Sequence, residues 1–137
     1  MSFTGPLEDR LEIRELIEHY GDAVMQRDAD SWSEVWAEEA EWSLPEFKGL
    51  EYFAGKANIV AGWKASMGDY PGMTYIATPG AINVSGKRAT ARTYTSEIFP
   101  GPDGRTLRVR GQYDDELAKI DGQWKFTKRV YKTIRSD

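Results

Sequence analysis

From Leu7 to about Arg27 the apolar residues Ile13, Leu16, Ile17, Tyr20 and Val24 recur three and four positions apart, which puts them on one side of a helical wheel. The spacing predicts an amphipathic helix. Pro6 is tolerated at its start, and Glu8 and Asp9 sit in the first turn, where the helix dipole favours anions. A short second helix follows, capped by Asp28 or Asp30 and carrying Trp32, Val35 and Trp36. Ala40–Leu44 turns extended around Trp42 until Pro45 stops it, and Phe47–Gly49 is a candidate stub of a further strand. Helical spacing returns over Gly55–Met67 through Ile59, Val60, Trp63 and Met67, and residues 67–72 read as loop.

The second half of the chain changes period. Met73–Val84, Lys87–Phe99, Arg105–Ile120 and Gln123–Ile134 are strand-like runs parted by Ser85-Gly86, by the Pro/Gly-rich stretch 100–104 and by Asp121-Gly122. Asp-Gly between such runs signals a hairpin with a type I′ turn, since both residues tolerate positive φ. That turn sets a register in which Lys119 faces Trp124, Leu117 faces Phe126, Asp115 faces Lys128 and Tyr113 faces Val130, all on one mainly apolar side. Asp114, Glu116 and Arg129 then fall on the opposite, wetter side. Carried backwards, the register puts Ala89, Ala91, Thr93, Thr95 and Glu97 on the apolar side, with Ala91 opposite Tyr113. Counting back from Ser85-Gly86 turns Thr74, Ile76 and Thr78 inward, unless a bulge at Pro79-Gly80 turns Tyr75 inward instead. Helices first and sheet last predict an α+β domain, its first helix covering the concave side of a curved, mostly antiparallel sheet.

At 137 residues the chain suits one domain over residues 1–137 with a single core and one ligand site. A net charge of −4 gives no basic footprint for nucleic acid. Without Cys and with one His, a zinc site would need carboxylates for nearly all its ligands, so no metal is expected. Neither a signal segment nor a membrane-length apolar run is visible, and a cytoplasmic protein is the expectation. Five Trp, seven Tyr and five Phe exceed what a core this size commonly needs, and an aromatic-lined cavity for a small hydrophobic molecule would explain them. Filling the core and a dimer interface would also use them. His19 lies on the flank of the first helix's apolar stripe with Glu15 one turn back, and no histidine catalysis is built on it.

The first helix from Leu7 to Tyr20, Asp28–Trp32, Trp36–Trp42, Lys87–Arg92, Gly111–Glu116, Asp121–Phe126 and Arg129 together resemble the SnoaL-like branch of the NTF2-like (cystatin-like) superfamily. The resemblance runs from about Leu7 to Arg129. It implies a cone of helices on a curved sheet, chemistry without a cofactor where there is any, and association as a homodimer or higher homo-oligomer through the outer face of the sheet, where Arg108 and Arg110 lie. The fold alone does not name a reaction. Members of the dehydratase and dehydrochlorinase type pair a carboxylate at the end of the first helix with a His in the first long strand. In this sequence Met25 stands at the first place and Tyr75 at the second. A thioether takes no proton and an ordinary phenol titrates near 10, so that dyad is absent.

What remains is a phenol that donates to a developing oxyanion and a desolvated carboxylate that moves a proton. Tyr75 as acid and Asp115 as base are the candidates, in a pocket formed by Tyr20, Met25, Trp36, Trp42, Trp63, Met67 and Tyr113. Glu97 shares the inward face but sits near the loop-proximal rim, where exposure is expected. The expected function is that of a small-molecule pocket protein, as lyase or isomerase on a hydrophobic cyclic metabolite. The alternative is a non-catalytic ligand-binding or structural subunit that pairs through its sheet, its pocket plugged by Trp36, Trp63 and Met67.

Overall fold

A computed structural model describes residues 2–137. In chain order it contains β1 (Phe3–Thr4), α1 (Leu7–Gln26), α2 (Ala29–Ser33), β2 (Trp36–Ser43), β3 (Phe53–Ala54), α3 (Lys56–Met67), β4 (Thr74–Ser85), β5 (Arg88–Pro100), β6 (Thr106–Ile120) and β7 (Gln123–Ser136). The strands form one curved sheet in the order β1-β4-β5-β6-β7-β2-β3. β4 to β7 make an antiparallel meander, and β2 joins its far edge parallel to β7. The expected α+β cone is what forms. Among the described residues no helix is long and apolar enough to cross a membrane.

Local sequence accounts for the element ends. The Asp28 carboxylate accepts the Ser31 N–H at 3.1 Å and caps α2, so Asp28 rather than Asp30 is the cap. Asp121 (φ 51°) and Gly122 (φ 78°) are both left-handed, as a type I′ turn requires. Trp36 opens β2 instead of ending a helix: α2 stops at Ser33, and the next strand starts four residues earlier than the Trp42-centred reading proposed. Ile13, Ile17, Tyr20, Ala23 and Val24 form the buried side of α1, which lies on the inner face of the sheet.

The hairpin register holds from the turn to Leu117, which pairs with Phe126, and then breaks. Thr127 is an extra residue in β7, so Glu116 faces Lys128, Asp115 faces Arg129 and Tyr113 faces Tyr131. The expected pairs Asp115–Lys128 and Tyr113–Val130 are therefore incorrect. Side chains alternate with period two, so one inserted residue reverses every later position on the strand. Arg129 and Tyr131 turn inward, while Lys128 stays on the wet side. Thr93, not Ala91, faces Tyr113, a slide of two residues that preserves the inward set from Ala89 to Thr95. A second irregularity, between Pro79 and Ile82, is the bulge that turns Tyr75 inward to 4% exposure.

Candidate functional site

The cavity lies between α1, α3 and the inner face of β4–β7 and encloses about 60 Å³, room for a few waters. A ring-sized occupant would need the flexible Met67 and Met73 side chains at its wall to shift. Tyr20, Trp42, Trp63, Met67, Tyr75 and Tyr113 from the expected set line it. Trp36 does not. It is buried one layer away, packed edge-on against Trp32 and tilted against Phe126. Met25 is not in the wall either: it is 42% exposed, and its Sδ accepts the backbone N–H of Tyr75 at 3.1 Å. It supports the strand that carries Tyr75 instead of touching the cavity.

Asp115 is fully buried but faces Arg129 instead of the cavity. Arg129 Nε donates to Asp115 Oδ1 at 2.7 Å, Arg129 Nη2 to Oδ2 at 3.1 Å, and Thr93 Oγ1 to Oδ2 at 2.7 Å. Both carboxylate oxygens are thus engaged in a forked ion pair. The guanidinium stacks 4.0 Å from the Tyr113 ring centroid, 4.2 Å from Phe126 and 4.4 Å from Tyr20. Burial lifts the Asp115 carboxyl, and the Arg129 charge opposes that. The geometry gives Asp115 a structural place under the rings of Tyr20 and Tyr113.

The cavity has a carboxyl of its own. Glu97, expected at an exposed rim, lines it, and burial lifts the carboxyl from its ordinary 4.5 to about 7. Tyr75 is its direct cross-strand partner in the β4–β5 ladder. The rim closes because Tyr70 meets Phe99 edge to face at 5.0 Å and both rings join the wall. Parity put Glu97 on the correct face, but no local signal reports that Tyr70, a loop residue 27 positions earlier, covers it. Tyr131 was missed as well, because the Thr127 bulge that aims it inward leaves no signature in the sequence.

Five phenols line the cavity with the carboxyl: Tyr20, Tyr70, Tyr75, Tyr113 and Tyr131. Trp42 Nε1 donates to Tyr113 Oη at 3.0 Å, and Tyr113 Oη lies 3.3 Å from Tyr20 Oη. The hydroxyls of Tyr75 and Tyr131 are buried with no hydrogen-bond partner among the described residues. Burial pushes the pKa of Tyr75 and Tyr113 well above that of a free phenol, so both stay protonated and donate at neutral pH. Tyr131 lies across Gly111, whose missing Cβ would overlap the phenol. His19 Nε2 contacts Ser31 O at 2.9 Å on the outer side of α1, away from the cavity, and Glu34 rather than Glu15 is the nearby acid at 3.6 Å. Among the described residues no three His, Cys, Asp or Glu side chains come together to hold a metal ion.

The sequence pattern of the SnoaL-like domain matches residues 5–130. The chain belongs to the SnoaL-like family. Its fold recurs in a protein from Novosphingobium aromaticivorans provisionally assigned as an aromatic ring hydroxylase, 28% identical, with a TM-score of 0.85 over 98% of this chain and 95% of the other. A second protein from that organism, provisionally assigned as a scytalone dehydratase, is 23% identical with a TM-score of 0.81 over 96% and 87%. The hexachlorocyclohexane dehydrochlorinase LinA-type3 from Novosphingobium barchaimii is 17% identical with a TM-score of 0.83 over 96% and 90%. No curated protein matches the chain. This SnoaL-like protein thus shares the cystatin-like fold that also carries small-molecule lyases.

Proposed function

We propose that the protein is an acid–base enzyme of lyase or isomerase type that acts on a small, hydrophobic, cyclic molecule. Glu97 moves the proton and Tyr75 donates a hydrogen bond to the oxygen on which charge develops. The observation that carries this reading is a carboxyl lifted to about 7 inside an aromatic cavity, directly across the ladder from an unpartnered phenol. A base that titrates near the working pH combines availability with proton affinity, and a preorganised donor stabilises an enolate without reorganisation. Asp115, with both oxygens held by Arg129 and Thr93, is left out of the proton transfer. The neighbour assigned to aromatic ring chemistry is consistent with a ring-shaped ligand.

The test is exchange of the α-hydrogens of 1-indanone with deuterated water, followed by mass spectrometry. Glu97→Gln should slow the enzyme-dependent exchange by roughly 10²–10⁴-fold, the usual worth of a positioned acid–base group. Tyr75→Phe should slow it too. Equal exchange in wild type and Glu97→Gln would remove the mechanism.

A second reading concerns self-association. Ile76 is 57% exposed and Tyr94 41% exposed, and both point away from the cavity on the outer face of β4 and β5. Exposed apolar residues side by side on one sheet face favour pairing with a second copy through that face. Native mass measurement tests it, and a monomer at high concentration would refute it.

A further inference from the structure

Strand β5 carries inward hydroxyls beside both acids of the inner face. Thr93, Thr95 and Glu97 alternate onto that face, and Thr93 Oγ1 donates to Asp115 Oδ2 at 2.7 Å. Thr95 is the next hydroxyl along, 4% exposed, and its Oγ1 forms no hydrogen bond among the described residues. Glu97 follows two positions on, about 7 Å along the strand and within the reach of a glutamate side chain. Across the ladders Thr95 faces Ala77 on one side and Gly111 on the other. Ala77 offers only a methyl group. Over Gly111 lies the Tyr131 hydroxyl, in the space a Cβ would fill, and it too is buried without a hydrogen-bond partner among the described residues. The polar neighbours of Thr95 are thus the Glu97 carboxyl on its own strand and the Tyr131 phenol from β7.

Two buried hydroxyls left unbonded beside a carboxyl call for a role. A threonine hydroxyl holds one proton and two lone pairs, and the proton rotates to suit its neighbours. While Glu97 is protonated, Thr95 has no charge to turn towards. Once Glu97 ionises, the carboxylate is an acceptor shielded from water, where a charge-assisted hydrogen bond is strong. Thr95 then donates to Glu97 and accepts from Tyr131, so that the three groups align in one direction. The Thr95 hydroxyl opposes the effect of burial on the Glu97 carboxyl, and it lowers the Tyr131 phenol in the same way. The other titratable groups facing Glu97 are phenols, Tyr20 from α1, Tyr70 from the loop after α3 and Tyr75 from β4. The Arg129 guanidinium is engaged by Asp115 behind the Tyr20 ring.

We propose that Thr95 is a positioning residue that holds the ionised Glu97 carboxylate in place, its hydroxyl oriented by Tyr131. This deepens the proposed function and rests on its reading of Glu97 as the base, adding how that base is kept charged and aimed. Fixing one carboxylate oxygen leaves the other for the substrate proton and limits the rotamers that the base samples.

Carbon-13 NMR of the glutamate side-chain carboxyls tests this without turnover, the Glu97 signal being the one missing in Glu97→Gln. The wild-type signal should titrate at about 7. Thr95→Val keeps the shape and removes the hydroxyl, and should move the midpoint up by about one unit, the worth of a hydrogen bond to a charged group. Thr95→Ser should return it to the wild-type value. Tyr131→Phe should raise it by about half a unit, since loss of the orienting partner weakens the bond without deleting it. The pH profile of 1-indanone exchange should move up with the midpoint in Thr95→Val, slowing the reaction at neutrality about fivefold, and Thr95→Ser should restore it. An unmoved Glu97 midpoint in Thr95→Val, or one that Thr95→Ser does not restore, overturns the inference. Should Thr95→Val not fold, an unmoved midpoint in Tyr131→Phe overturns it and a raised one supports it. Exchange indifferent to Glu97→Gln with the midpoints shifting as stated sinks the mechanism alone, and Glu97-dependent exchange with unmoved midpoints sinks the role of Thr95 alone.

Discussion

Replacing Glu97 by Gln should stabilise the protein at neutral and alkaline pH and leave it unchanged in acid. The carboxyl titrates at about 7 in the folded chain, against an ordinary 4.5 when unfolding returns it to water. A carboxyl raised in this way favours the fold only while it is protonated. Its contribution is whole below pH 4.5, falls as pH climbs towards 7, and is lost above it. At roughly 1.4 kcal/mol per pH unit between the two values, the wild type should give up about 3 kcal/mol across that window, an upper figure because Glu97 is only partly enclosed. Gln fills nearly the same volume and never ionises. For a domain of 137 residues, 3 kcal/mol corresponds to roughly 10 °C in Tm. The assay is a pair of thermal melts at half-unit steps from pH 4 to about pH 8.5, read as the difference between variant and wild type so that all other titrating groups cancel. The difference should open between pH 4.5 and about 7 and then stay flat. Parallel melting curves throughout would mean that the carboxyl is solvated, and would remove the electrostatic basis for using it as a base.

Arg129→Met should cost about 3–5 kcal/mol in urea denaturation, because it leaves the buried Asp115 without its charge partner. Adding Asp115→Leu should return much of that loss, and a double variant as unstable as the single would refute the ion-pair account. Gly111→Ala should destabilise the fold by about 2–3 kcal/mol through overpacking against Tyr131, and far less in a Tyr131→Ala background, a coupling that a double-mutant cycle measures. Asp28→Ala should cost about 1 kcal/mol by removing the cap of α2, and Asp28→Asn only a few tenths, both read from chemical denaturation.

How far the sequence could be read depended on whether the relevant geometry was local. The amphipathic stripe of α1, the Asp121-Gly122 turn and the meander follow from spacing and turn chemistry within a few residues, and all three form as expected. The bulge at Pro79-Gly80 also left a mark, since proline and glycine together disrupt a ladder, and it decided the orientation of Tyr75. Thr127 left none. It is an ordinary strand residue in an unbroken alternation, yet the ladders of β7 with β6 and with the parallel strand β2 both shift register at it. Glu97 was placed on the correct side by parity and misjudged in depth, because its cover comes from Tyr70, distant in sequence. Met25 illustrates the converse: a position chosen by family resemblance points its thioether at the Tyr75 backbone instead of the cavity.

That single inserted residue also moves the chemistry. Without the bulge, Asp115 would have stood beside a lysine whose long stem can carry its charge to water, leaving the carboxylate free to face a ligand. With it, Asp115 receives a planar guanidinium that engages both oxygens and is walled in by three aromatic faces. A carboxylate so held has both oxygens taken by donors from Arg129 and Thr93, so it is not placed to take a proton from a ligand in the cavity. Its value is to the phenols: the ion pair fixes the plane on which Tyr20 and Tyr113 lie, and Trp42, adjacent to Arg129 in the β2–β7 ladder, then reaches the Tyr113 hydroxyl. Glu97 has no cation at hydrogen-bonding distance among the described residues, and desolvation, opposed only by the nearby Thr95 hydroxyl, raises its affinity for a proton to near neutrality. Two acids on one face of the sheet are thus divided by one bulge into a support and a candidate base.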